Sequence, residues 1–164
     1  MPERPRISFI TDSMLGNLAR KLRLFGFDTL YYRTGDDEGL LHNFQERILL
    51  TCDRELFRKS ALRNRRVIFI ERADDEIEAL RKIFSELGIR PEVIAVRCTV
   101  CNGPLRRMSR GEVASSDLIP SSTKRRYREF YVCASCGKIY WYGSHWKSIN
   151  ATVDRLREAL ETKL

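Results

Sequence analysis

The amino-acid sequence predicts an α/β protein: a parallel sheet flanked by helices, followed by a small cysteine-rich module and a C-terminal helix. Two observations support this prediction. Apolar runs alternate with amphipathic segments through the first 95 residues, a pattern typical of parallel sheets wrapped by helices. Beyond them, four of the five cysteines form two Cys-x-x-Cys pairs. We therefore expect an α/β domain at residues 1–95 and a separate module at residues 96–164.

Short apolar runs mark the predicted strands, which are residues 7–11, 28–33, 47–51, 66–71 and 93–96. Between them, apolar residues recur at three- and four-residue spacing, which predicts helices. Gly26 and Gly88 stand where left-handed C-caps would end two of these helices. Residues 148–162 have the same helical spacing.

The charge of the chain is concentrated in its second part. The net charge is +8; residues 1–93 hold 17 Lys and Arg against 16 Asp and Glu, whereas residues 94–164 hold 13 against 6. Such an excess favours a polyanionic partner, with nucleic acid as the leading candidate, although a solvated basic surface would have the same composition. The sequence has no apolar run long enough for a transmembrane helix, and residues 1–6 do not resemble a signal peptide, so we expect a cytoplasmic protein.

The paired cysteines are Cys98, Cys101, Cys133 and Cys136. Without a secretory signal, this spacing favours a metal site over disulfides, and four thiolates are typical of a closed structural zinc site. The pairs are separated by 31 residues instead of the usual 15–20 or so, so the zinc ribbon carries a long insertion. Unmetallated thiols or disulfides are the alternative.

Acidic residues follow several predicted strands, at the edge of the sheet where ligands bind in open α/β folds. Clustered carboxylates suit Mg²⁺ or Mn²⁺, which hydrolyse phosphodiesters by activating water. Each acid could instead be only a helix N-cap, and we assign that role to Asp74 and Asp75. Asp12 and Asp53 are less easily explained as caps alone, because each directly follows an apolar strand. The acids after the second strand are Asp36 and Asp37.

The stretch ILLTCDRELF, residues 48–57, allows several roles for the acid that follows its apolar run. Its Asp53 could cap a helix, or bind a metal or a phosphoryl group, or the chemistry could belong to Cys52. A catalytic cysteine needs a base, and His42 and His145 are the only histidines. Neither is well placed, so we interpret Cys52 as a small residue at the strand end.

Residues 11–28, 36–41 and 47–56 together resemble a PIN-type ribonuclease domain, and residues 97–105 with 133–146 resemble its attached zinc ribbon. The combination is similar to the Mut-seven C-terminal RNase domain family, over about residues 7–150. The resemblance implies a PIN fold and a metal-dependent nuclease site formed by Asp12, Asp37 and Asp53. Asp36 or Glu38 could replace Asp37, a fourth acid is not placed, and Cys52 departs from the basic residue often found before the third aspartate.

The predicted function is that of a ribonuclease that hydrolyses RNA phosphodiesters at a carboxylate-bound Mg²⁺ or Mn²⁺, with a structural Zn²⁺ in a basic ribbon that binds the RNA. The predicted RNA contacts are Lys124, Arg125, Arg126 and Arg128, in a segment expected to be a loop. One alternative is a catalytically inactive RNA-binding protein on a PIN-like scaffold. A phosphoacceptor receiver domain is another, but Asp12 lacks a paired acid and no lysine follows the fifth strand.

Overall fold

A four-stranded parallel sheet organises the first half of the chain in the computed structural model, which describes residues 6–162. Most of the N-terminal segment used to argue against a signal peptide, residues 1–5, lies outside the described residues. The strands are β1 (Ser8–Thr11), β2 (Asp28–Tyr31), β3 (Ile48–Thr51) and β4 (Val67–Phe69), in the order β2-β1-β3-β4. Every residue of β3 is buried, as its uninterrupted apolar sequence predicts.

Helices alternate with these strands and cover the sheet. They are α1 (Gly16–Leu24), α2 (Asp37–His42), α3 (Arg54–Leu62) and α4 (Glu76–Leu87). Gly26 and Gly88 both have positive φ angles, of 86° and 62°, so the predicted left-handed caps are confirmed. Asp75 caps α4 by accepting a hydrogen bond from the Glu78 amide, which confirms that interpretation as well.

The predicted fifth strand at residues 93–96 is wrong. The backbone there turns on itself, because the Val96 amide donates to the Ile94 carbonyl at 2.8 Å. The Val96 carbonyl then accepts from the Leu105 amide, and Arg97 forms an isolated bridge with Pro104. This apolar segment therefore leads into the cysteine module instead of adding to the parallel sheet.

The cysteine module contains a three-stranded antiparallel sheet with the order β5-β6-β7, formed by β5 (Leu105–Arg107), β6 (Phe130–Cys133) and β7 (Ile139–Trp141). The long insertion folds into α5 (Arg110–Ser115) and α6 (Ser121–Arg126). The loop predicted around Lys124 is therefore wrong: the Thr123 and Lys124 amides both donate to the Pro120 carbonyl, which starts a helical turn. Arg128 lies just beyond this helix.

The last helix, α7 (His145–Glu161), returns to the first half of the chain and packs against α4. Its Val153 and Leu156 belong to the same hydrophobic cluster as Phe9, Leu80 and Phe84. The core under one face of the parallel sheet is thus completed from beyond the cysteine module. The division at residues 95 and 96 stays a prediction. No helix in the described part of the chain has the length and apolarity needed to cross a membrane.

Candidate active site and zinc centre

Asp12 follows β1 and is buried at the carboxyl edge of the sheet. Its Oδ1 accepts a hydrogen bond from the Met14 amide at 2.9 Å. Its Oδ2 accepts from the Thr51 hydroxyl at 2.5 Å and from the Cys52 amide at 3.3 Å. These donors lie just after β1 and at the end of β3, which are neighbours in the sheet, so the carboxylate is fixed between two strand ends.

Asp53 follows β3 and is the N-cap of α3. Its Oδ1 accepts from the Glu55 and Leu56 amides at 2.7 and 2.8 Å, while its own amide donates to the Thr51 hydroxyl at 3.0 Å. The cap interpretation is therefore correct. It does not exclude metal binding, because only Oδ1 makes the cap bonds and the side chain is exposed.

The three adjacent acids after β2 play different parts. Asp36 caps α2 through the Gly39 amide, and Glu38 lies 3.7 Å from the Arg63 guanidinium. The Asp37 carboxylate makes no hydrogen bond or ion pair within residues 6–162. Partial burial, together with repulsion from Asp53 and Asp12, raises the pKa of the Asp37 carboxyl above its usual value, although Lys59 opposes the shift. Of the three acids, Asp37 is therefore the one that shares an electrostatic environment with Asp12 and Asp53.

Asp12, Asp37 and Asp53 could offer carboxylate oxygens, the ligands that Mg²⁺ and Mn²⁺ prefer, to a divalent cation at this edge. The repulsion that Asp53 and Asp12 exert on the Asp37 carboxyl, beside the effect of burial, is the kind of interaction that a bound cation would relieve. The three carboxylates do not, however, come within 4.8 Å of one another; among the described residues only the cysteines do so. The residues present thus fit a hard cation in their chemistry, although their spacing is wider than that of the cysteine cluster.

Cys52 is half-buried, with its Sγ 3.7 Å from the Met14 Sδ. Burial and the neighbouring Asp12 and Asp53 carboxylates raise the pKa of the thiol. A protonated thiol without a nearby base is a poor nucleophile. The structure therefore gives no support to a catalytic cysteine.

The four sulfur atoms of Cys98, Cys101, Cys133 and Cys136 all lie within 4.8 Å of one another. The Cys98–Cys136 and Cys101–Cys133 Sγ separations are 3.7 and 3.4 Å. Sulfurs bound to zinc at 2.3 Å in a tetrahedron are about 3.8 Å apart, so the cluster has the size of a Zn²⁺ site.

Each cysteine pair also has the backbone geometry of a metal-binding turn. The residues after the second cysteines, Asn102 and Gly137, have φ angles of 68° and 74°. These turns aim the amide of Gly103 at the Cys101 Sγ and that of Cys136 at the Cys133 Sγ, both at 3.4 Å. Donors of this kind stabilise bound thiolates.

Tyr140, on β7, lies with its hydroxyl 3.0 Å from the Cys98 Sγ. Burial opposes ionisation of this thiol, but the Tyr140 hydroxyl and nearby amides lower the pKa of Cys98 to about 6. The geometry therefore favours a thiolate at this position, the form that binds zinc.

A groove of about 1400 Å³ lies between α5, α6 and the strands β5 and β6. It is rich in cations, which are Arg107, Arg110, Lys124, Arg125 and Arg128. Arg107 pairs with Glu129 at 2.8 Å, and the Lys124 ammonium donates to the Ala114 carbonyl at 3.0 Å. In the part of the chain that the structure describes, no ion pair engages the remaining three arginines. The fourth predicted RNA contact, Arg126, lies instead over the Tyr127 ring, 5.7 Å from its centroid.

The parallel sheet with its acidic edge and the four-cysteine ribbon define an α/β protein with an attached metal-binding module. The family model described as the Mut7-C RNAse domain matches residues 7–153, nearly the whole chain. The chain therefore belongs to the Mut7-C RNase domain family, as its resemblance predicted. No curated protein and no solved structure matches it.

Sequence reasoning missed two residues that the structure places at these sites. Thr51 has no role among the predicted site residues, yet its hydroxyl links both strand-end acids. Tyr140 has none either, although its hydroxyl lies beside the Cys98 Sγ. A threonine directly after a buried apolar run was the available signal for the first, whereas the register of β6 and β7 that places Tyr140 is not visible in the sequence.

Proposed function

We propose that the protein is a metal-dependent ribonuclease that hydrolyses RNA phosphodiesters at the edge formed by Asp12, Asp37 and Asp53. The proposal is supported by the order of the sheet, in which these three acids follow the neighbouring strands β2, β1 and β3 at one edge, in a member of an RNase family. A Mg²⁺ or Mn²⁺ held there would activate water and stabilise the leaving oxygen. The chain's own contribution is to fix Asp12 through Thr51 and Cys52, and to leave Asp37 unpaired for the cation.

Replacement of Asp37 by Asn is the sharpest test. The change keeps the size of the side chain and breaks no hydrogen bond within residues 6–162, so the fold should stay intact. Loss of one carboxylate ligand should reduce cleavage roughly a thousandfold, equivalent to about 4 kcal/mol of transition-state stabilisation. The measurement is cleavage of single-stranded and structured RNAs with Mg²⁺ or Mn²⁺. Asp53→Asn should reduce cleavage to a similar extent. Its fold should also stay intact, because Asn still caps α3.

The neighbouring acids provide matched controls. Asp36→Asn retains the α2 cap, and Glu38→Gln removes only an exposed charge, so both variants should cut within a few-fold of the unmodified protein. Full activity in the Asp37 variant would contradict the assignment. No cleavage by the unmodified protein with either metal would instead favour the alternative, an inactive RNA-binding scaffold, in which Asp12 and Asp53 serve only the hydrogen bonds described above.

The proposal includes RNA binding by the ribbon, supported by the groove between α5 and α6. Its unpaired cations are Arg110, Arg125 and Arg128, and Tyr127 on its wall offers a face for base stacking. Trp141 and Trp146 pack against Phe130 and Tyr142 at ring centroid distances of 6.0 and 4.4 Å, so both tryptophans already have aromatic partners within the ribbon. The arginines are therefore a better candidate than the tryptophans for contacts with RNA.

Conversion of Arg110, Arg125 and Arg128 together to Gln should weaken RNA binding and flatten its salt dependence. Each phosphate contact to a single strand contributes about 0.7 to the slope of log K against log salt, so three lost contacts should reduce it by about 2. Lys124 and Arg126 are left in place because the chain itself engages both. Binding is measured by fluorescence anisotropy at several salt concentrations.

A control variant that loses the same charge elsewhere on the protein distinguishes RNA binding in the groove from a general effect of net charge. The control replaces Arg66, Arg90 and Arg155, three exposed arginines outside the ribbon, by Gln. This variant should keep the slope close to that of the unmodified protein. Equal losses in the two triple variants would show that the groove is only a solvated basic surface.

A further inference from the structure

The first cysteine turn, residues 98–103, is fastened to the open edge of the parallel sheet. Strand β2 lies at that edge, where backbone groups have no neighbouring strand to pair with. The Thr29 amide donates to the Asn102 Oδ1 at 3.0 Å, and the Thr29 carbonyl accepts from the Arg23 Nε at 2.9 Å. The side chain of Asn102 thus takes part of the place of a missing strand.

Arg23 completes the connection from the other side. Its guanidinium, almost fully buried, also donates through Nη1 to the carbonyls of Thr99 and Val100, at 3.0 and 2.9 Å. Both carbonyls lie between the two cysteines of the turn. A zinc ion bound by these cysteines would fix the turn, and with it the orientation of the two carbonyls toward Arg23.

Asn102 has a second partner on the same strand. Its Nδ2 donates to the Asp28 Oδ1 at 2.7 Å, and Asp28 is also held by a bidentate pair with Arg47 at 2.9 and 3.0 Å. Burial acts to raise the pKa of the Asp28 carboxyl, but the hydrogen bonds from Arg47 and Asn102 outweigh that effect and lower the pKa. Asn102 directly follows the ligand Cys101, and its amide bonds to the Cys98 carbonyl, so its position depends on the closed turn.

We propose that Asn102 is a positioning residue through which the zinc-bound turn holds strand β2, so that zinc occupancy determines the order of that strand. Strand β2 leads directly to the segment that carries Asp37. Loss of zinc should therefore also reduce RNA cleavage, a consequence that rests on the proposed function. The link itself is measured by zinc content and amide exchange. It can therefore fail or hold independently of nuclease activity.

Asn102→Gly isolates the side-chain bonds. Glycine keeps the positive φ angle, and it already occupies the equivalent position in the second turn, so the variant should still bind one zinc per chain. Hydrogen exchange of the Thr29 amide should be about tenfold faster, as expected for loss of one buried hydrogen bond. Removal of zinc with a chelator should then accelerate exchange in β2 much less than it does in the unmodified protein.

Gly137→Asn is the matched control, because it makes the reverse change in the second turn, where a Cβ atom would meet nothing within 4 Å. This variant should exchange and bind zinc like the unmodified protein. A rescue pair adds a second test. The single variant Asn102→Asp places its new carboxylate beside that of Asp28. The double variant Asp28→Asn with Asn102→Asp exchanges the two side chains, so that one again donates a hydrogen bond and the other accepts it. The double variant should protect the Thr29 amide better than the Asn102→Asp single variant.

The outcome in the unmodified protein decides the proposal even if a variant fails to fold. Zinc removal should increase exchange at Thr29 and its neighbours in β2 while β3 and β4 stay protected. Unchanged exchange in β2 would overturn the proposal. So would an equal loss of protection across all four strands, since that would show general unfolding instead of a link through Asn102.

Discussion

The Thr51 hydroxyl joins the two acids that end neighbouring strands. It donates to Asp12 and accepts from the Asp53 amide, and the residue is fully buried. A buried carboxylate loses water as a hydrogen-bond partner, and donors such as this hydroxyl replace it. Thr51 therefore supports the acidic edge without being a ligand itself.

Thr51→Val should damage this edge while preserving packing. Valine has the same shape, but it leaves the Asp12 Oδ2 without its shortest hydrogen bond, at a cost of about 1–3 kcal/mol in the free energy of unfolding. Cleavage should fall by about tenfold or more, because small displacements of a ligand are costly in catalysis. Urea denaturation and RNA cleavage are the measurements.

Thr51→Ser retains the hydroxyl and should recover most of the activity. If the valine variant cut RNA as well as the serine variant does, the hydroxyl would have no role in the site.

At this scale, the sequence predicted that Asp12 and Asp53 lie at strand ends, but not how their side chains are held. Asp12 and Asp53 could be placed because a strand has a fixed direction and its end is visible as the end of an apolar run. The choice among Asp36, Asp37 and Glu38 could not be made, because it depends on which side chain caps α2. Asp36 takes that position because its backbone is extended, with φ −84° and ψ 93°, where α2 begins, and periodicity does not specify that residue.

The elements of the cysteine module are short, and few of their residues are buried. Helices α5 and α6 have no buried residue at all. With so little core of its own, the module should depend on metal binding for its folding free energy. The alternation of strands and helices in the first half was predictable from hydrophobicity because its elements are amphipathic, whereas α6 escaped prediction because it lacks an apolar face.

Purified protein should contain one zinc per chain, bound by the four cysteines. Removal of the metal by a chelator should abolish the folded signals of residues 97–146 in a nuclear magnetic resonance spectrum. Metal analysis and titration with Co²⁺, whose spectrum reports thiolate ligands, provide the measurements. A folded ribbon with no metal would refute the zinc assignment.

Taken as a whole, the chain builds one core from two separated parts of its sequence. Leu156 of α7 is fully buried in the cluster that includes Leu80 and Phe84 of α4. The sequence predicted helix α7 and its apolar side. It did not predict that α7 packs against α4, because an apolar stripe does not specify which surface it will cover.

Leu156→Ala should therefore destabilise the α/β half although it lies beyond the ribbon. A buried leucine replaced by alanine typically costs about 2–5 kcal/mol. Leu62→Ala, at a site that is 79% exposed, should change the free energy of unfolding by no more than about 0.5 kcal/mol. Urea denaturation monitored by circular dichroism measures both. Equal stability of the two variants would show that α7 is only loosely attached.

The return of α7 to α4 also has a consequence for how the protein is made. Domains fold as they leave the ribosome, from the N-terminus onward. The face of α4 that α7 covers must stay open until the entire ribbon has been translated. A nascent chain thus completes the core beside its acidic edge only after both cysteine pairs have emerged and can take up metal. Synthesis order alone ensures that the core of the α/β half is not finished before the ribbon has been translated.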